Sequence, residues 1–206
     1  ARHVIVFRVH GGARYLMVGS GRVSEGGGTD AREFVLDSER EVASYTVMFH
    51  LAPAATHALA ERRIAGVDVR VLSAMGGASA DQAFALLEPW LPELQTALGP
   101  FPMPRGLSVA LTQRGGGMEY FGATTTSLDA LRHEVFHMYF GCSTIARSYR
   151  DSWWDEAADM WYDLSSRSAV TPIAEDFRSG MVNDRSAIAK GFDRRAYSDG
   201  AAVFEA

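Results

Sequence analysis

The first 51 residues read as strand-rich, with short apolar runs set between polar and glycine positions. Residues 3–9, 14–18, 33–36 and 44–51 carry the β-branched and aromatic side chains that favour strands, and Gly11-Gly12 and the Gly26-Gly27-Gly28 tract supply turns. The pattern predicts a β-rich lead-in over residues 1–42. Over residues 54–65 the composition shifts to Ala, Leu, Glu and Arg, which predicts a short surface helix ending at Gly66. Residues 67–72 alternate again as a strand. Behind a capping Ser79, residues 81–98 place Phe84, Leu87, Leu91, Leu94 and Leu98 at helical spacing, and Pro89 and Pro92 are expected to kink or divide that helix. A proline-rich connector at 99–106 leads to a strand at 107–113.

Two further stripes have helical spacing, and both carry chemistry. Residues 131–141 read L-R-H-E-V-F-H-M-Y-F-G; Leu131, Val135 and Met138 mark the apolar face, Ser127 is the expected cap, Asp129 falls in the first turn and Gly141 closes the helix. His133 and His137 lie four residues apart, so both imidazoles can reach one Zn²⁺ while Glu134, beside them, reaches its water. A catalytic zinc takes three protein ligands and keeps its fourth position for water. Glu156 follows His137 after 18 intervening residues, on a second amphipathic segment where Trp154, Ala157, Ala158, Trp161 and Leu164 recur at helical spacing and Asp151 or Ser152 caps. The expected centre is therefore one Zn²⁺ per chain held by His133, His137 and Glu156, with Glu134 as general base.

At this point the chain resembles a known family. H-E-V-F-H-M-Y-F-G followed by W-W-D-E-A-A-D is similar to the H-E-x-x-H-x-W-F-G and W-x-N-E-G-F-A signatures of the aminopeptidase N-like zinc peptidases, gluzincins that include leukotriene hydrolase. Upstream, G-G-G-M-E-Y at residues 115–120 resembles their G-x-M-E-N edge strand; downstream, A-Y-S-D-G-A-A-V-F at 196–204 resembles their Y-x-K-G segment. The resemblance implies an α+β fold in which a thermolysin-like catalytic domain spans residues 43–206. In that fold a small mixed sheet with the G-x-M-E edge strand packs on the zinc-binding helices, without the C-terminal helical part of the large members. It implies that Gly117, Met118 and Glu119 form the substrate strand, Glu119 holding a free α-amino group, and that Tyr197 stabilises the oxyanion. Judged alone, Tyr197 reads as a packed aromatic. Asp159 is open to two readings, a partner for a ligand histidine or a polar helix residue. Tyr120, Asp155, Ala157 and Asp199 depart from the family's residues; the zinc ligands are intact and the substrate pocket is altered.

The activity so implied is zinc-dependent release of N-terminal residues from peptides with a free amino terminus. An endopeptidase of the same class is the alternative, and a zinc-holding inactive interaction domain a second; Glu134 argues against the latter, since zinc needs no base merely to stay bound. Net charge of −5 and a pI near 5.7 supply no basic field for nucleic acid or anionic membrane, and no apolar run approaches the length of a membrane span. Residues 1–11 lack a signal-peptide pattern, and the chain starts without Met and ends in what reads as an unfinished helix, as an excised or processed form would. A single cysteine, Cys142, excludes an internal disulfide and reads as a small packed residue; compartment stays open, a reducing cytoplasm preferred over a secreted form. His3, His10 and His50 read as ordinary strand histidines. Oligomeric state is not legible.

Overall fold

The computed structural model describes residues 1–11, 13–28, 31–145, 153–162 and 201. The chain forms two compact units, Ala1–Cys142 and Ser143–Ala206. The first opens with β1 (Arg2–His10), β2 (Tyr15–Gly19), β3 (Arg22–Gly27), β4 (Ala31–Glu41), a 3₁₀ turn (Ser44–Thr46) and β5 (Phe49–Pro53). β1, β4 and β3 make an antiparallel sheet in that order, and β2 pairs with β5. The β2–β5 ribbon is the middle layer, because neighbouring residues of a strand point to opposite faces. Met17 enters a cluster with Phe34 and Leu36, while Val18 enters another with Ala52, Leu72 and Ala110. Residues 44–48 were expected to be extended; the strand begins only at Phe49, after Thr46 N–H has closed a turn on the Ala43 carbonyl at 3.0 Å.

A five-stranded mixed sheet follows, in the order β6 (His57–Ile64), β7 (Val67–Ala74), β8 (Leu107–Leu111), β10 (Ala123–Thr126), β9 (Gly117–Tyr120). β7, β8 and β10 run parallel, and the two edges are antiparallel to their neighbours. β6 replaces the helix expected over 54–65. Ile64 pairs with Val67 across Ala65 and Gly66, both with positive φ (47° and 82°), the two-residue loop that suits a twisted hairpin. Helix propensity differs by only tenths of a kcal/mol per residue among these side chains. A full ladder with β7 outweighs it, together with the burial of Ile64 and the packing of Leu59 on the Val18 cluster.

α1 (Ala80–Leu98) packs on β6 and β7 and touches α2 (Leu131–Phe136). It is a single helix, undivided at Pro89 and Pro92. Each proline deletes one backbone hydrogen bond, but Leu87, Trp90, Leu91 and Leu94 on either side are at most 1% exposed and hold the rod in place. Its start is as the sequence indicates: Ser79 and Gln82 form a reciprocal capping box.

In the second unit, α3 (Trp153–Tyr162) buries Glu156, Ala157, Ala158, Asp159 and Tyr162. Its expected caps Asp151 and Ser152, and Tyr197 with Asp199, lie outside the described residues. Among the described residues no helix is long and apolar enough to cross a membrane.

Candidate metal centre

α2 leaves the end of β10 through a buried Ser127, whose N–H bonds the Gly116 carbonyl at 3.0 Å. Ser127 is not the cap: the N-cap is Ala130, which makes no side-chain bond, so Asp129 precedes the helix. Among the described residues the Ser127 hydroxyl has no hydrogen-bond partner. The helix is also shorter than its apolar stripe suggests. After Phe136 the Met138 and Tyr139 N–H groups bond back three residues, to Val135 at 3.1 Å and Phe136 at 2.9 Å, tightening the chain into 3₁₀-like turns. Aromatic packing draws it that way: the Tyr139 hydroxyl donates to the Gly99 carbonyl at 3.0 Å with Phe101 edge-on at 6.0 Å, and Phe136 stacks near Phe140 at 5.3 Å. Gly141, at φ 102°, completes the turn, and Cys142 N–H reaches the His137 carbonyl at 2.9 Å. Cys142 is buried, as its sequence context suggests.

His137 keeps helical dihedrals (φ −60°, ψ −13°), so it still stands one turn above His133. The rings lie 4.7 Å apart, nearly perpendicular at 86°, with their Nε2 atoms 3.1 Å from each other. His137 Nδ1 lies 3.2 Å from the Phe140 carbonyl, an acceptor only, so Nδ1 carries the proton and Nε2 presents its lone pair. Two nitrogens bound tetrahedrally to zinc at about 2.0–2.1 Å stand about 3.3 Å apart, so the pair fits that ion. The Phe140 carbonyl is a functional group that motif reading passes over, because it belongs to the backbone; Gly141, which lets the chain fold back, is its sequence signal.

Glu134 is 4% exposed, and the edge strand β9 lies against it. A Cβ placed on Gly117 would come within 2.6 Å of Cγ, Cδ and Oε1 of Glu134. Gly117 is thus the close-approach position between strand and base. By strand alternation Glu119 shares Gly117's face, and it is half-buried; Met118 points to the other face and is 50% exposed. Tyr120, which stands where the motif has Asn, is also part of this surround. Its phenol is pushed above the usual tyrosine range by burial and by the charges of Glu119 and Glu134, against a hydrogen bond with Thr125, so it stays protonated at neutral pH.

On α3, Glu156 and Asp159 are one turn apart, 9% and 1% exposed. Glu156 N–H is held by Asp155 Oδ1 at 2.9 Å. Either carboxylate suits zinc chemically.

No protein-family model and no curated protein matches the chain. Solved structures do match it. An M1 zinc metallopeptidase from Deinococcus radiodurans superposes with a TM-score of 0.66 at 19% identity, over 96% of this chain and 50% of the other. A substituted form of that enzyme bound to a Tyr-Ser-Ala substrate gives 0.68 at 18%, and a two-domain M1 zinc metallopeptidase bound to L-tryptophan gives 0.66 at 19%, with the same coverages. The fold is that of the M1 zinc metallopeptidases. At these identities the likeness establishes the M1 fold alone, and the chain spans about half the length of these M1 chains.

Proposed function

We propose that the chain is a zinc-dependent peptidase, an aminopeptidase whose thermolysin-like catalytic part runs from residue 43. The observation that carries this reading is the pairing of two Nε2 atoms 3.1 Å apart with a buried carboxylate, Glu134, pressed against the edge strand at Gly117. The M1 fold supports it. His133 and His137 supply two zinc ligands and Glu156 the third, with Asp159 the competing carboxylate one turn away. Bound zinc supplies Lewis acidity, lowering the pKa of a water toward about 7 and polarising the scissile carbonyl.

Glu134 accepts the water's proton as the water attacks and returns it to the departing amine. Its burial keeps the carboxylate out of bulk solvent, and the bare Gly117 backbone lets the substrate strand approach it. Glu119, two residues along the same face, receives the α-ammonium of the substrate and so limits cleavage to the first peptide bond. Among the described residues β9 is an edge strand, and its outer backbone groups can pair with an extended peptide. Tyr197 donates to the developing oxyanion, an interaction worth about 3 kcal/mol when such a donor is removed.

The test is hydrolysis of a peptide panel with free amino termini against the same peptides acetylated, using the zinc-loaded chain. Cleavage of the free set alone is expected, and Glu119→Ala should raise KM for that set. Equal cleavage of both sets would replace the aminopeptidase with an endopeptidase, and no cleavage of either would remove the peptidase reading.

A further inference from the structure

At the other end of the mixed sheet lies a cleft of about 400 Å³ lined by five arginines together with Glu61 and Asp68. It is remote from the metal centre by topology: it opens beside Asp68, Val69 and Arg70 at the start of β7, whereas α2 follows the C-terminal end of the parallel strand β10. Arg22 comes from β3, Arg70 from β7 and Arg105 from the turn before β8, so three guanidinium groups line one space from three separate elements.

Among the described residues only one carboxylate closes an ion pair with any of these three guanidinium groups. Arg22 and Arg105 share the single carboxylate of Glu39, Arg22 at 3.3 Å and Arg105 with Nη2 at 2.9 Å. Arg63 is matched by Asp68 at 2.7 Å, and Arg62 turns to Glu88 at 2.7 Å and to the Phe84 ring. Arg70 is half-buried, and among the described residues it forms no ion pair; its one hydrogen bond is from Nη2 to the Gly21 carbonyl at 3.1 Å. Glu61 faces it across the β6–β7 ladder without closing to ion-pair distance. Burial pulls the Arg70 guanidinium below its ordinary value against the charges of Glu61 and Asp68, and it remains charged at any physiological pH.

Two glycines let the walls pack closely. Gly21 and Gly106 have positive φ (93° and 76°), and a Cβ on either would strike a backbone carbonyl, Asp37 at 2.2 Å or Asp68 at 2.0 Å. Glu39 itself is held at φ 57°, a conformation uncommon for a non-glycine residue, with its N–H on Asp37 Oδ1 at 2.8 Å. The backbone thus accepts strain at the residue that aligns two of the three arginines.

We propose that this cleft binds a phosphate-type oxyanion between Arg22, Arg70 and Arg105. A guanidinium offers five donors in a planar fork, and most of those on Arg70 remain available among the described residues. A tetrahedral oxyanion accepts forks from three directions, which a planar carboxylate does not.

The experiment is calorimetric titration of the full 206-residue chain with inorganic phosphate at fixed ionic strength, with chloride as the control. One saturable phosphate per chain is expected, weakened about tenfold or more in Arg70→Met and in Arg105→Gln, a loss of the size that one charge-assisted contact represents. Arg62→Gln, directed at Glu88, should bind phosphate like the parent. Should Arg70→Met fail to fold, Arg22→Gln and Arg105→Gln carry the comparison, both side chains being more than half exposed. Phosphoserine and glycerol phosphate as further titrants separate an ester ligand, which binds more tightly than phosphate, from the free anion, which does not. No saturable phosphate heat, or undiminished affinity in the Arg22 and Arg105 variants, would overturn the proposal.

Discussion

Gly117 shows how one missing methyl group can define a site. Its backbone lies outside the left-handed region, so alanine is allowed conformationally; the three nearest atoms that a Cβ would meet all belong to the Glu134 side chain. A flexible carboxylate can move aside at little cost in stability, but then it is no longer where a base must be. Gly117→Ala is therefore expected to leave the melting temperature nearly unchanged and to lower kcat about 10- to 100-fold with zinc retained, the scale of a misplaced catalytic group. Glu134→Gln should lose about 10²- to 10⁴-fold in kcat, again with zinc bound. Steady-state kinetics beside metal analysis checks both; a Gly117→Ala enzyme with parental kcat would show that the strand's approach to Glu134 has no catalytic weight.

Among the elements, α3 carries the open question of the third ligand. Glu156 matches the spacing read from the sequence, yet Asp159 sits one turn further on and is the more deeply buried of the two. A ligand carboxylate and one that orients a histidine respond differently to amidation: losing a ligand abolishes tight metal binding, while losing an orienting partner costs about 10- to 100-fold in affinity. Glu156→Gln is expected to lose zinc outright and Asp159→Asn to retain it more weakly, measured by chelator competition; the reverse order would reassign the ligand to Asp159. Elements were unevenly legible. The H-E-x-x-H helix and the Ser79 cap of α1 follow from local residues, and the edge strand at Gly117–Tyr120 was legible through the resemblance of its G-x-M-E motif. β6 was misread because its helix-favouring composition is outweighed by a neighbour, β7, that no local window contains.

At the scale of the whole molecule, acid stability should report on the N-terminal sheet. Arg2 bridges to Asp37 across β1 and β4, and Glu39 N–H adds a second bond, holding the Asp37 carboxyl down at about 2 from its ordinary 3.8. A carboxylate with a depressed folded pKa adds stability that is complete above its unfolded value and is lost as pH falls toward the folded one. Melting temperatures taken from pH 6 to pH 2 should thus show Asp37→Asn below the parent at the upper end, the gap closing between about pH 4 and pH 2. A gap that stays constant would mean that ionisation of Asp37 contributes nothing. The net charge of −5 masks the arginine-lined cleft, because a chain total says nothing about where charges converge.

By itself the sequence determined the pieces whose chemistry is local: two histidines at helical spacing with an acid between them, a capped amphipathic helix and a strand-rich N-terminal segment. These are legible because the 3.6- and two-residue periods are set by the backbone within a few residues. Tertiary structure alone decided that helix-favouring residues pair as β6, that two prolines ride within one helix, and that aromatic contacts tighten the chain after Phe136. It alone brought Gly117 to Glu134, and arginines from three elements to one cleft. Each of those depends on the energy of groups distant in sequence, which exceeds the few tenths of a kcal/mol that separate one local conformation from another.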